Sequence, residues 1–418
     1  GSHAAVVISK WNKPIIKKSP VNNRIVITGI GMVSSLGLGV AENLKALSSG
    51  AKNFTKDESI WQNGVDAQMA GFVPEFSSKD VNRRLDFRKL SNKISKMAAA
   101  AASFSIDESG LKPNRKNAED FGVAVAISNG PPEIIHMDKV FSSGTYAADT
   151  TTFSNITANS VAGWIANILY LKGINTTLGN GPHSGLQAIA FAFDNMKLGR
   201  SKYMVAGAAD EIDKQTFYNY DLLGHLYTGE MEKEFKYRPD ETKRKVLGEG
   251  AAMILMETLS DAKERNAPLF GEILGYALSC DPGPFGIQCL DPQQLELTMK
   301  KAFQRSELSY EEIDMVIWAP QGNAQDNKVL SVYEKYFNGK PLITNTFNTG
   351  YIESSSVVSS LGCALYCLKE GLPLWPQVTG IQSVDNLEVN REINKILVLS
   401  STDLGYNYSL ILNRKTIE

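Results

Sequence analysis

The stretch LGEGAAMILMETLSDAKERNAPLFGEILGYAL, residues 247–278, carries two apolar runs separated by a short charged insert. AAMILMETL (251–259) reads as a strand, and its near-continuous apolar character implies burial on both faces. The second run, GEILGYALSC (271–280), echoes RIVITGIGMVSS (24–35) near the N-terminus. Working outward, AEDFGVAVAISNG (118–130) is echoed by EIDMVIWAPQGNA (312–324). TTLGNGPHSG (176–185), which feeds a helix, is echoed by TNTFNTGYIESSSVV (344–358), which feeds another. Strand, strand, then a turn into a buried helix occurs twice in the same order. Two copies of this size imply a duplicated layered α/β domain rather than a solenoid. The expected division is 1–22 as an N-terminal extension, with Gly1, Ser2 and His3 reading as an expression-tag scar, then halves at 23–267 and 268–418.

FGVAVAIS (121–128) and KYMVAGAAD (202–210) add further strands, and KLSNKISKMAAAAASFSIDES (89–109) reads as a helix. SGLQAIAFAFDNMKLG (184–199) is a second helix, closed by Gly199 as its C′ residue. A net charge of −2 offers no electrostatic attraction for nucleic acid or an anionic membrane. No apolar window is long enough to span a bilayer, and the basic residues from Lys10 to Lys18 precede no signal-type apolar region, so a cytoplasmic protein is expected. Cys363 and Cys367 lie four apart on one helix face; half a metal site is one reading, two small buried hydrophobes the expected one. Neither a metal nor a cofactor is expected.

These segments resemble the thiolase-fold condensing enzymes, specifically the β-ketoacyl-acyl-carrier-protein synthases, across residues 24 to 412. The carriers of the resemblance are RIVITGIGMVSSLG, SKYMVAGAADE and, most specifically, YRPDETKRKVLGEGAAMILMETL. It implies a five-layered α/β/α/β/α arrangement of two duplicated halves. It also implies an acyl-accepting cysteine at a helix N-terminus, where the dipole favours thiolate. The matching position is Pro182. The family's two histidines fall on Pro320 or Gln321, depending on a gap, and on Tyr351. The lysine before the second histidine matches Thr346, and the first aromatic of the C-terminal glycine loop matches Leu404. Every catalytic position departs from the pattern together, while the structural signatures persist.

The expectation is a non-catalytic subunit similar to the chain-length factor, or β subunit, of type II polyketide synthases. Such a subunit pairs with a catalytic ketosynthase as a heterodimer and shapes the tunnel for a chain carried on the phosphopantetheine of an acyl carrier protein. Glutamine is the commoner replacement in that family, so the chain-length-factor-like subunits of aryl-polyene or fatty-acid-like ketosynthase pairs fit nearly as well. The resemblance places tunnel-lining side chains on an apolar helix opened by Pro131 and Pro132, with Ile134, Ile135, Met137 and Phe141 as candidates. A second reading makes the chain an independent acyl hydrolase or transferase using Ser184. His183 is adjacent in sequence, however, and neighbouring helical residues do not face each other. A homodimeric ketosynthase with relocated catalytic residues is the third. His225 reads as a satisfied, partly buried histidine.

Overall fold

The structure is a computed structural model describing residues 23–56, 65–67, 69–81, 85–90, 92–130, 136–229, 245–282, 289–375 and 392–415. A first run of elements comprises β1 (Ile25–Ser34), β2 (Gly37–Leu38), α1 (Val40–Ser48), α2 (Ser78–Val81), α3 (Lys93–Ser109) and β3 (Phe121–Ala126). It continues through α4 (His136–Ser143), α5 (Thr150–Phe153), α6 (Ser160–Leu169), β4 (Asn175–Leu178), α7 (Gly185–Lys197), β5 (Tyr203–Asp210), α8 (Lys214–Leu222), β6 (Gly250–Thr258) and α9 (Leu259–Glu264). The second run holds β7 (Gly271–Cys280), α10 (Gln293–Ser306), β8 (Met315–Ile317), α11 (Gln325–Phe337) and β9 (Leu342–Ile343). It ends with α12 (Thr346–Thr349), α13 (Ser356–Glu370), β10 (Lys395–Ser401) and β11 (Tyr406–Asn413).

The strand order β4-β3-β5-β6-β1 is repeated as β9-β8-β10-β11-β7. The senses repeat as well. In each set the first two pairings are parallel and the last two antiparallel. The two five-stranded sets join where β1 pairs antiparallel with β7, Val26 opposite Glu272. The two segments expected to be equivalent are therefore neighbours related by a local twofold. Arg24 grips Glu272 at this seam through two parallel hydrogen bonds, Nε to Oε1 at 2.7 Å and Nη2 to Oε2 at 2.6 Å.

Five layers follow from what each face buries. Apolar residues of α3 and α6 cover one face of the first strand set. Those of α10, with Val329, Leu330, Val332, Tyr333 and Phe337 of α11, cover the outer face of the second. Between the two sets lie α7 and α13, in one core with side chains from both. Close approach of the outer helices is a matter of missing Cβ atoms. A Cβ on Gly29 or Gly31 of β1 would lie 1.9 Å from the Ser105 or Ala101 carbonyl oxygen of α3. Gly275 of β7 meets Ala302 of α10 in the corresponding place. This is why α3 is a run of buried alanines, Ala98 to Ala102. Asn92 caps it by accepting the Ser95 N–H, and Gly110 closes it at φ 75°.

The strand FGVAVAIS stops at Ala126: Ile127 N–H still donates to the Leu178 oxygen of β4 at 3.0 Å, but the Ser128 N–H leaves the ladder for the Asp210 carboxylate at 2.7 Å. Gly199, at φ 66°, stands just past α7 as expected. Cys363 and Cys367 are buried, and burial pushes the Cys367 thiol up to about 11, so both behave as small hydrophobes. No described helix is long and apolar enough to cross a membrane.

Candidate functional site

The stretch from Leu247 onward also builds the site. Gly248 lies against the Thr349–Gly350 turn, so closely that a Cβ there would come 2.5 Å from the Thr349 oxygen. Leu247 and Tyr351 form a bridge in which Tyr351 N–H donates to the Val246 oxygen at 2.8 Å and Gly248 N–H to the Tyr351 oxygen at 3.0 Å. Glu249 anchors the segment by accepting Val73 N–H at 2.8 Å and Ile212 N–H at 3.3 Å, and it pairs with Lys93. The Arg-Pro-Asp part of the motif, residues 238–240, lies outside the described residues.

Opposite this turn sits the elbow before α7. Gly181 takes φ 77° and His183 φ 58°, the left-handed region, to swing the chain from β4 into the helix. Pro182 at its apex is buried and offers neither a nucleophile nor an N–H. The next three backbone N–H groups are occupied: His183 donates to the Glu353 oxygen at 3.0 Å, Ser184 to the Gly181 oxygen at 3.3 Å and Gly185 to the Ser354 oxygen at 3.1 Å. Ser184 Oγ donates back to the Gly181 oxygen at 2.6 Å. Its hydroxyl is thus committed within its own turn. The His183 ring faces away from it, with Nδ1 2.5 Å from Ser400 Oγ on β10. Burial, and then the Lys245 charge, push His183 down to about 3, so the imidazole is neutral.

The structure brings Gln321 and Tyr351 together. Tyr351 OH donates to Gln321 Oε1 at 3.3 Å, and Gln321 Nε2 donates to the Ser401 oxygen at 2.8 Å. Asp326 holds this loop by accepting the Gln321 and Gly322 N–H groups, each at 2.8 Å. The Tyr351 ring stands edge-on to His183, 5.7 Å between centroids. Leu404, half exposed, overhangs the elbow; a Cβ on Gly181 would sit 2.6 Å from its Cδ1. Pro320 is buried beside Gln321, and Thr346 is buried in α12 with its hydroxyl accepting from Thr344 at 3.1 Å.

Residues the sequence reading passed over complete the centre. Lys245 is buried with no hydrogen-bond partner on Nζ among the described residues, and it lies over the rings of Tyr220 at 4.4 Å and Tyr351 at 4.6 Å. The Tyr220 hydroxyl meets Glu353, which also accepts from Asn129 at 3.2 Å. Asp210 accepts Ser354 N–H at 2.8 Å; burial first, then the Glu353 carboxylate, push its carboxyl well up. The overlooked signal was a single carboxylate inside an otherwise apolar or small run, as in LGEGAAMIL and YIESSSVV; Lys245 gives no such signal, since it ends the charged run ETKRK. His225 is half-buried beside Tyr220, and desolvation followed by Lys245 lowers its pKa.

Of the tunnel candidates, Pro131, Pro132, Ile134 and Ile135 lie outside the described residues, and Met137 falls within α4, which begins at His136. Phe141 is 79% exposed on the same helix.

A family profile described as "Beta-ketoacyl synthase, N-terminal domain" matches residues 22–262, more than half of the chain. The chain belongs to the β-ketoacyl synthase family. Among curated relatives, the 3-oxoacyl-[acyl-carrier-protein] synthase 2 of Vibrio cholerae is 27% identical over 298 residues, 70% of this chain and 72% of that one. Solved structures that share the fold include the ishigamide ketosynthase/chain length factor, with a TM-score of 0.80 at 20% identity, covering 94% of this chain and all of that one. Another is a type II PKS acyl-carrier protein in complex with its ketosynthase bound to the hexaketide, AntDE:AntF, with a TM-score of 0.78 at 19% identity over 94% of this chain and all of that one.

Proposed function

We propose that this β-ketoacyl synthase family member is a non-catalytic, chain-length-factor-type subunit. It pairs with a catalytic ketosynthase and shapes the space for a chain elongated from malonyl units on an acyl carrier protein. The observation that carries the reading is the elbow itself. Pro182 has no nucleophile, and the N–H groups of His183, Ser184 and Gly185, the donors an oxyanion would need at a helix N-terminus, are bound to carbonyls of the protein. At the histidine positions, Gln321 and Tyr351 hydrogen-bond to each other. A solved structure of a ketosynthase/chain length factor, and another of an acyl-carrier protein in complex with its ketosynthase, support the kind of partner.

The Ser184 reading has less support. Its hydroxyl donates to Gly181 and the adjacent His183 is engaged with Ser400, so no base addresses it. Subunits of aryl-polyene or fatty-acid-like pairs are the nearest variant of the main reading, because an elbow without a nucleophile fits them nearly as well. The test is co-expression with a ketosynthase. The expected result is a stable complex whose carrier-bound product is lost when either chain is absent, with no malonyl decarboxylation or condensation by this chain alone. Turnover by the single purified chain would sink the reading.

A further inference from the structure

On the side of the molecule served by α1, a second cavity has no role in the elbow. Ala41, Leu44, Lys45 and Ser48 fall at i, i+3, i+4 and i+7 and so form one face of the helix, which lines a cleft shared with the end of α13 and the strap to Trp375. The cleft encloses about 550 Å³, within the range of small-molecule sites. Its floor is rigid: Trp375 is buried and its indole N–H donates to the Thr344 oxygen at 2.9 Å. Leu44 and Cys367 are buried walls, and neither asks a ligand for a hydrogen bond. Two charges stand in the lining. Glu370 is paired with Lys369 at 2.5 Å, whereas the Lys45 ammonium has neither an ion pair nor a hydrogen bond among the described residues.

An apolar slot with one uncommitted cation selects an amphiphile of opposite charge. A polar body would leave its donors unsatisfied against Leu44 and Trp375. Lys45 is an exposed residue in the lining, so its head meets water and an anion can reach it. The stripe from Ala41 to Ser48 runs about 10 Å by helical rise, a length suited to an extended medium-chain tail. We propose that this cleft binds an unbranched medium-chain fatty acid as its carboxylate, the tail between Leu44 and Trp375 and the carboxylate on Lys45. The site is independent of the subunit role proposed above.

Titration of the full-length chain with decanoate, read as the fluorescence difference between wild type and Trp375→Phe, tests it. Saturable binding is expected. Lys45→Met is expected to weaken decanoate at least tenfold while leaving decanol unchanged, and Ala41→Trp, at an exposed position, to remove both without shifting the melting temperature. Three outcomes would overturn the proposal: no saturation at millimolar decanoate, equal affinity for decanoate and decanol with Lys45→Met changing neither, or a crystal structure in which residues 376–391 of the same chain fill the cleft.

Discussion

At the scale of single residues, the elbow is disabled in two independent ways, by the side chain it lacks and by the carbonyls that occupy its amides. Pro182→Cys is therefore expected not to restore condensation. A thiol there would face a neutral His183 and helix amides already engaged, so neither the family's base nor the helix terminus would draw it toward thiolate. Alkylation of that cysteine with iodoacetamide as a function of pH should titrate at or above the free value, about 8.5, and carrier-bound product should stay absent. His183 makes a second prediction. Its folded pKa lies below the unfolded one, so the native chain holds fewer protons in the window between about 3 and the ordinary 6.5. The stability gained by keeping it neutral is present above that window and is lost as the pH falls through it. Asp210, with its raised carboxyl, works in the opposite sense, its contribution falling as the pH rises through its folded value. The difference between wild type and His183→Asn isolates the histidine. Urea unfolding at pH 7 and pH 5 should show wild type losing roughly 2 kcal/mol more than the variant.

At the scale of elements, the glycines of β1 set how closely α3 can lie. Gly31→Ala places a Cβ 1.9 Å from a backbone oxygen, so the helix must move, and the expected destabilisation is at the upper end of overpacking, about 3 kcal/mol. Gly163, exposed in the middle of α6 with open space where a Cβ would stand, should respond oppositely. Gly163→Ala is expected to add about 0.5–1 kcal/mol through helix propensity; denaturation midpoints of the two variants decide both. These elements were legible in the sequence because local composition determines them. RIVITGIGM and AAMILMETL are near-continuously apolar since both faces of each strand are covered, and the repeated strand, strand, turn order carried the duplication. What local composition does not carry are contacts between distant parts of the chain. His183 reaches Ser400 across 217 positions, and Lys245 meets Tyr220 and Tyr351 from a loop flanked by other charges. No periodicity reports such a meeting. The degenerate positions were found by resemblance, and only geometry shows that Gln321 and Tyr351 bond to each other.

At the scale of the whole molecule, one edge of the continuous sheet is β4, which pairs with β3 and presents its other side outward. Between β3 and β4 the described residues expose four large aromatics, Phe141 at 79%, Tyr146 at 86%, Phe153 at 71% and, less fully, Tyr170 at 37%. An open strand edge beside an aromatic surface is an association hazard for a lone soluble chain, and a partner subunit that covers both removes it. Obligate interfaces of this kind bury on the order of 2,000 Å² or more. Under the proposed function the two surfaces divide the work. On that proposal Tyr146 and Phe153 would supply contact area, whereas Phe141, on α4, would face the partner's growing chain. Tyr146→Asp with Phe153→Asp should then abolish co-purification with a ketosynthase, because an unpaired charge would be buried in the interface. Phe141→Ala should leave the complex intact and lengthen the carrier-bound product by about one two-carbon unit, the depth a truncated aromatic releases along an extended chain. Mass analysis of the product distinguishes the cases. A complex that survives the double aspartate variant would move the interface elsewhere, and an unchanged product from an intact Phe141→Ala complex would take the gate away from α4.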